Sequence, residues 1–417
     1  MAIQGLRTTA NFVTDQRPKN WREGMILLDP NGNIPLVGLT SVMKKRTTDD
    51  AEFNWWEKSM ETRRLKLAAS STVITTGNTT WALDATDGNG LSVKEGDLLR
   101  VMSTGEIVRV NADPSVATSI SVTRAWGDVA ATALDSTASG KNPYLLVIGS
   151  VYEEGSMPPS GVNFDPTKKF NYTQIFRSTL EMTRTASKTR LRTGDAIKEA
   201  KRECLLYHGV DMERAFWLGE RKETTINGKP ARSTGGLYWL LNNSSGGNGA
   251  NVKDAVSDYS GGVTMTGMEE YLYNIFKYGS NEKMAFCGNR SLLTLQQIVR
   301  KNTVYNIEFG LKEYGMNVAR LSCPFGTLVL KNHPLFNQDV GGTNTTAYYG
   351  MESWMFVLDM ENIKYTYLDG SDTTYQPVLQ SNGMDGMQSG YLTEAGLEVS
   401  LPQTHYLIKN LVAGAVG

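Results

Sequence analysis

Residues 193–223, TGDAIKEAKRECLLYHGVDMERAFWLGERKE, constrain this chain more than any other stretch. Ile197, Ala200, Cys204, Tyr207, His208, Ala215 and Leu218 recur at helical spacing, and Leu205, Met212 and Phe216 widen the stripe they form. Lys198, Glu199, Arg202, Glu203, Glu213, Arg214, Glu220 and Arg221 fall mostly on the other side. Thr193 is placed to cap the helix, and Asp195 sets negative charge at the positive end of its dipole. Gly209 is its weak point, costing roughly 1 kcal/mol against Ala. A helix over 193–223 is a rod of roughly 45 Å. It carries no coiled-coil heptads, and extended segments flank it. Such a rod suits the spine of an elongated subunit better than the floor of a catalytic pocket.

The chain's 417 residues allow two or three domains. Its 42 basic and 43 acidic residues nearly cancel, so no global charge demands nucleic acid or a membrane. Cys204, Cys287 and Cys323 form no CxxC pair, which excludes a zinc ribbon and predicts reduced thiols. The N-terminus lacks the apolar core of a signal peptide, and no apolar run approaches the roughly 18–20 residues of a membrane span. Synthesis and assembly in the cytoplasm are the expectation.

Residues 1–50 have little periodicity and read as an arm that becomes ordered on a neighbour. Trp55 and Trp56 are adjacent, so a strand there points them to opposite faces, and both need cover. Residues 71–150 alternate short β-rich runs with turns: 72–76, 81–83, 98–102, 107–110, 119–123 and 144–148. This predicts an all-β barrel or sandwich module. It holds five Lys/Arg and eight Asp/Glu, against twelve and seven over 183–232, so charge is segregated along the chain. Residues 170–182 read as a strand leading into the spine helix. After 242–249, a Gly- and Asn-rich loop, Thr266-Gly267-Met268-Glu269 reads as a capping box opening a helix to about Tyr278. A helix over 290–300 and strands at 284–287, 318–321, 327–330, 354–358 and 363–367 follow. They predict an α+β domain. Runs at 397–401 and 406–408 are strands that return to an earlier sheet.

The chemistry is sparse. His208, His333 and His405 are the three histidines, and none pairs with another at metal-binding spacing. His208 falls on the helical stripe as a core residue, His333 in a loop, His405 near the C-terminal strands. No G-x-S-x-G occurs, and Gly140-Lys141-Asn142 lacks the rest of a phosphate loop. The carboxylate pairs Asp49-Asp50 and Glu153-Glu154 are sequence neighbours, which do not face one another on a regular element. Arg184, Lys188, Arg190 and Arg192 form a basic cluster without interleaved aromatics, suited to phosphates or to an acidic neighbour. No catalytic residue, metal or cofactor is expected.

Certain words in the sequence carry a resemblance. They are Glu153-Glu154-Gly155-Ser156, Tyr172-Thr173-Gln174-Ile175-Phe176-Arg177, and 196–217 with its Glu-Arg-Ala-Phe-Trp-Leu-Gly-Glu ending. With Gly105-Glu106-Ile107-Val108-Arg109-Val110 and the order of parts, they resemble tailed-bacteriophage major capsid proteins of the HK97-like fold. The similarity is to the subgroup with a β-module inserted upstream of the spine helix. The resemblance implies an α+β fold with an N-terminal arm (1–50), an E-loop and adjoining strands (51–70 and 151–185) and the inserted module (71–150). A peripheral domain (151–263 and 376–417) holds the spine helix at about 193–223, and an axial domain spans 264–375. It implies a structural protein that self-assembles into an icosahedral head shell around phage double-stranded DNA. The virion is its place, and the host cytoplasm its site of assembly. Its partner is itself, as hexamers and pentamers. Portal, scaffold and decoration proteins, and nonspecific contact with packaged DNA, come second; no membrane is expected. Trp55, Trp56 and Ile175 are then candidate intersubunit contacts. The basic cluster at 184, 188, 190 and 192 faces the shell interior or a subunit seam. An encapsulin-like cellular cage, and a hydrolase with an unrecognised carboxylate site, are the alternatives.

Overall fold

The structure, a computed structural model, describes residues 44–412 apart from 59–62, 70–72, 85–88, 136–142, 160, 190–194, 243–250, 260–261, 302–306, 314–315 and 338–349. The arm over 1–50 therefore lies almost wholly outside the described residues. The chain forms two compact units, 56–167 and the remainder, 1–55 with 168–417.

In the unit 56–167, six antiparallel strands run in the spatial order Arg64–Lys66, Tyr144–Ser150, Asp97–Val101, Ile107–Val110, Ser119–Thr123 and Thr80–Ala82. Alternate residues turn inward, so Leu65, Trp81, Leu99, Val101, Val108, Val110, Ile120, Val122 and Leu145 close one core. The unit exceeds 71–150 because Arg64–Lys66 pairs with Tyr144–Ser150. The expected strand at 72–76 is reduced to a single bridge, Ile74 to Leu134. Inside, the Arg124 guanidinium grips the Glu106 carboxyl through Nε at 3.0 Å and Nη2 at 2.6 Å. It also donates to the carbonyls of Thr75 and Thr132 and lies 5.4 Å from the Trp81 ring. A buried pair survives only when its remaining hydrogen bonds are largely met; here four of the five guanidinium N–H groups have an acceptor.

The larger unit is built on two sheets. One runs Lys45–Thr48, Ile363–Leu368, Gly386–Val399 and Gln174–Thr183, with Thr374–Gln376 paired to Gly386–Val399. The other has seven strands: Val252–Asp254, Tyr406–Lys409, Met355–Leu358, Glu282–Cys287, Gly326–Asn332, Met316–Cys323 and Ile307–Glu313. The period of two sends Met284, Phe286, Val329, Phe356, Leu358 and Leu407 to one face. Ala285, Cys287, Leu328, Leu330, Met355, Val357, Tyr406 and Ile408 go to the other, under the helices Met265–Ile275 and Asn289–Lys301. A sheet covered on both faces reads as continuous apolar runs, as Met355–Leu358 does. The C-terminal strand Tyr406–Lys409 does return, between Val252–Asp254 and Met355–Leu358. It thus joins the sheet of 264–375 and leaves the one formed by Gly386–Val399.

The spine helix is Ala196–Leu218, 23 residues or roughly 34 Å. It is shorter at both ends than 193–223. Asp195, not Thr193, is the cap, its side chain accepting from Ile197 N at 3.0 Å. The helix stops at Gly219, where a Cβ would collide with Ala215 O at 2.4 Å and Thr234 O at 2.8 Å. The charged residues beyond it form the hairpin Lys222–Ile226 with Lys229–Ser233, turned by Asn227 and Gly228 at positive φ. Likewise the helix expected to open at Thr266 begins two residues earlier. Thr264 caps it by accepting from Gly267 N, and it ends at Ile275.

All three histidines are buried. His208 joins the spine helix to the first sheet, with Ser178 Oγ 3.0 Å from Nδ1 and Thr393 Oγ1 2.8 Å from Nε2. His333 does lie in a loop, the short connection after Gly326–Asn332, but not at the surface. It is fully buried with Nε2 2.7 Å from Glu213 Oε1. His405 Nδ1 accepts from the Asp359 backbone N–H at 3.1 Å. The cysteines are free thiols, Cys287 buried and the other two half-buried.

Two predictions follow from this packing. Burial pushes the His405 imidazole down from 6.5 to about 4, with nearby Asp359 opposing and Lys283 reinforcing. The folded state therefore favours neutral His405. Its contribution is complete above pH 6.5 and is lost as the pH falls toward 4, a change of about 3 kcal/mol. Urea unfolding at pH 7 and pH 4 should show wild type losing about that much more than His405→Asn. Trp217→Ala, which empties the centre of the larger core, should cost about 3–5 kcal/mol in the same assay.

Candidate intersubunit surface

The spine helix is fully buried only in its second half; in the first, Lys201 Nζ lies 4.8 Å from the Tyr375 ring and the remaining inward positions are half-buried. His208, Gly209, Met212, Glu213, Phe216 and Trp217 are buried, and residues 196–207 include none. In the buried half, the Trp217 ring has Phe356, Phe336, His333 and Phe286 around it, at centroid distances of 4.8, 4.9, 5.1 and 5.2 Å. Its Nε1 donates to Glu213 Oε1 at 3.0 Å, so the buried carboxyl receives both the indole and the His333 imidazole. Phe216 packs edge-on against Phe176 and Tyr365, 6.1 Å from each, which ties the same half to the first sheet.

The other half presents apolar side chains outward. Leu205 and Leu206 are each nearly half exposed, and Tyr207 is 63% exposed. The adjoining strand Gln174–Thr183 pairs along its whole length with Gly386–Val399, yet Phe176 is its one buried residue. These elements give the subunit extended surfaces that the described residues leave uncovered.

Ile175, on that strand, is 58% exposed. Trp55 and Trp56 do face opposite ways on Glu52–Glu57, which pairs with Thr167–Tyr172. Their fates differ: Trp56 is 66% exposed, while Trp55 is 8% exposed and stacked on Phe53 at 6.2 Å. Cover for Trp55 therefore comes from its own chain. Of the basic cluster, Arg184 and Lys188 bound the short helix Arg184–Lys188, capped by Thr183. Arg184 Nε donates to Asp385 at 2.7 Å, an exposed pair within the chain and of small energetic weight. Arg190 and Arg192 lie outside the described residues. Asp50 is occupied in a turn, accepting from the Ala51 N–H. Among the described residues no three His, Cys, Asp or Glu side chains converge as metal ligands, and no helix is long and apolar enough to cross a membrane.

The chain is 26% identical to the major capsid protein of Pseudomonas phage PaMx41 over 370 residues, which covers 85% of this chain and 79% of that protein. Among solved structures it resembles the capsid of Myoviridae phage XM1 at 10% identity, over 98% of this chain and 100% of that one, with a TM-score of 0.43. It also resembles the SrpI encapsulin of Synechococcus elongatus PCC 7942 at 10% identity, over 61% and 81% of the two chains, with a TM-score of 0.43. The decisive match is by sequence: the model of the SU10 major capsid protein family aligns with residues 3–412. That span is nearly the whole chain, so this protein belongs to the SU10 major capsid protein family, a phage capsid protein of the virion with a structural and not an enzymatic role.

Proposed function

We propose that this chain builds an icosahedral head shell around phage double-stranded DNA, from hexamers and pentamers of itself, with the HK97-like arrangement of parts. The observation that carries the reading is the half-buried spine helix with its uncovered strand. Both are rigid elements whose apolar side chains a lone subunit cannot shelter. In this arrangement 51–70 and 151–185 act as the E-loop and its strands, and the β-unit is the inserted module. The peripheral domain comprises 151–263 with 376–417, and 264–375 is the axial domain. Trp56 and Ile175 are the contacts to neighbours; Trp55 supports them from inside its own chain. Portal, scaffold and decoration proteins are further partners, and contact with DNA is through phosphates.

Negative-stain microscopy of the purified protein should show shells or capsomers; discrete monomers at high concentration would refute the reading. Trp56→Ser with Ile175→Ser should reduce shell yield while leaving the subunit's melting curve unchanged, since burying one Trp contributes roughly 2–3 kcal/mol per contact. Unfolding of the monomer would instead place these side chains in the internal core. Charge reversal at Arg190 and Arg192 should lower empty-shell yield if they line a seam, or genome retention alone if they face the interior. A variant normal in both respects would reduce the cluster to solvated charge.

A further inference from the structure

The strand Gln174–Thr183 ends its sheet, paired on one side to Gly386–Val399 and on the other to no strand among the described residues. Beyond its own sheet partner and the spine helix, the described residues engage only its two ends: the Gln174 side chain accepts from Thr234 N at 3.1 Å, and Thr183 Oγ1 caps the short helix Arg184–Lys188 by accepting from Ala186 N at 3.3 Å. Residues 175–183 thus form an open, nine-residue edge. A long open edge invites another strand, and natural proteins blunt such edges with charge. Here the outward row is Ile175, Arg177, Thr179, Glu181 and Thr183, all exposed. Phe176, Ser178, Leu180 and Met182 form the alternate row, which meets the spine helix where Ser178 contacts His208. Arg177 has no ion-pair partner among the described residues. Glu181 accepts only from the amide of Gln388, at 2.6 Å, on the adjoining strand.

The row is complementary to itself when reversed. In antiparallel register about Thr179, Arg177 stands opposite Glu181, Ile175 opposite Thr183, and Thr179 opposite its own copy. On the helix side Phe176 meets Met182, and Ser178 meets Leu180. Slipping by one residue would put the two spine helices on opposite faces of the joined sheet. Slipping by two leaves both charges opposite uncharged residues, and slipping by four sets like charges opposite each other. Opposite charges directly across a ladder stabilise it and like charges destabilise it, so one register is selected.

We propose that this edge is a two-fold interface. The 175–183 edge of one copy pairs antiparallel with the same edge of a second copy, with the axis at Thr179, and joins the two sheets into one. This is strand addition in its isologous form, in which one surface serves both partners. The inference rests on the shell-forming reading, because a closed icosahedral shell brings copies together across two-fold axes.

The test is a cysteine placed on the axis. Directly opposed residues of an antiparallel pair have Cα atoms roughly 4.5–5.5 Å apart, within disulfide reach. Particles of Thr179→Cys should give a disulfide-linked dimer on a non-reducing gel. Wild-type particles, with Cys204, Cys287 and Cys323 alone, supply the background. Thr183→Cys alone should give no such dimer, because it faces Ile175, whereas particles co-assembled from Ile175→Cys and Thr183→Cys chains should. As an independent arm, Arg177→Glu and Glu181→Arg should each lower particle yield several-fold, and the two together should restore it to within about twofold of wild type. Thr179→Cys particles without a dimer, or a double variant no better than either single, would overturn the pairing. The second result would assign the edge to a different segment. Should wild type itself form no particles, it is the shell-forming reading that fails, and the two failures are thereby distinguished.

Discussion

The Glu213 carboxyl, buried between Trp217 Nε1 and His333 Nε2, is the contact on which the larger unit depends. A carboxyl taken out of water without partners costs several kcal/mol, so both donors must be in place for the helix to seat. His333 is in turn stacked on Phe336 at 4.1 Å. The node therefore fixes the rotation and depth of the spine helix against the end of the strand Gly326–Asn332. Phe216, one residue before Trp217, does the same against Phe176 and Tyr365 of the other sheet. Adjacent residues on a helix diverge by about a quarter turn, so one turn can grip two sheets.

Because full burial is confined to the helix's second half, the first half is held on one side and leaves a stripe exposed on the other. Its partner strand Gln174–Thr183 is displayed with it through the His208 contacts to Ser178 and Thr393. A polar junction at that point sets a geometry without adding much apolar burial. The subunit consequently holds its shape while leaving Leu205, Leu206, Tyr207 and Ile175 in water. In the proposed shell, contacts between copies recover this burial, which is how a marginal single-chain interface can yield a stable shell.

The sequence made the spine helix, the separate β-rich unit and the α+β character legible, because each rests on local periodicity. Where it misled, the missing term was long-range. The charges after Leu218 extend the apparent helix in the sequence, whereas Asn227-Gly228 just beyond them turns a hairpin. Of the strand Gly386–Val399, only the end at 397–399 has the apolar alternation of a strand; Gly386, Gly390 and Gly396 carry no strand propensity. Gly390 and Gly396 are there because a Cβ would meet Ser178 O at 2.5 Å and Tyr172 O at 2.6 Å on the neighbouring chain segments. Glu213 and His333 lie 120 positions apart, beyond any spacing rule, so the loop placement of His333, which holds, gives no sign of its burial against Glu213. The Trp55/Trp56 pair shows both sides: alternation correctly opposed them, but which of the two its own chain covers depends on Phe53 and the fold around it. The exposure of Ile175 and Trp56 was partly legible, since both lie on alternating strands; the order of strands in the sheet was not.

The central claim is that one helix is anchored in the subunit over its second half and completed by neighbours over its first. Amide hydrogen exchange, compared between free subunits and assembled particles, tests it most directly. The account predicts strong protection of 208–218 in both states, with 175–183 and 196–207 gaining protection only in the particle. Equal protection of both halves of the helix in the free subunit, unchanged on assembly, would contradict it.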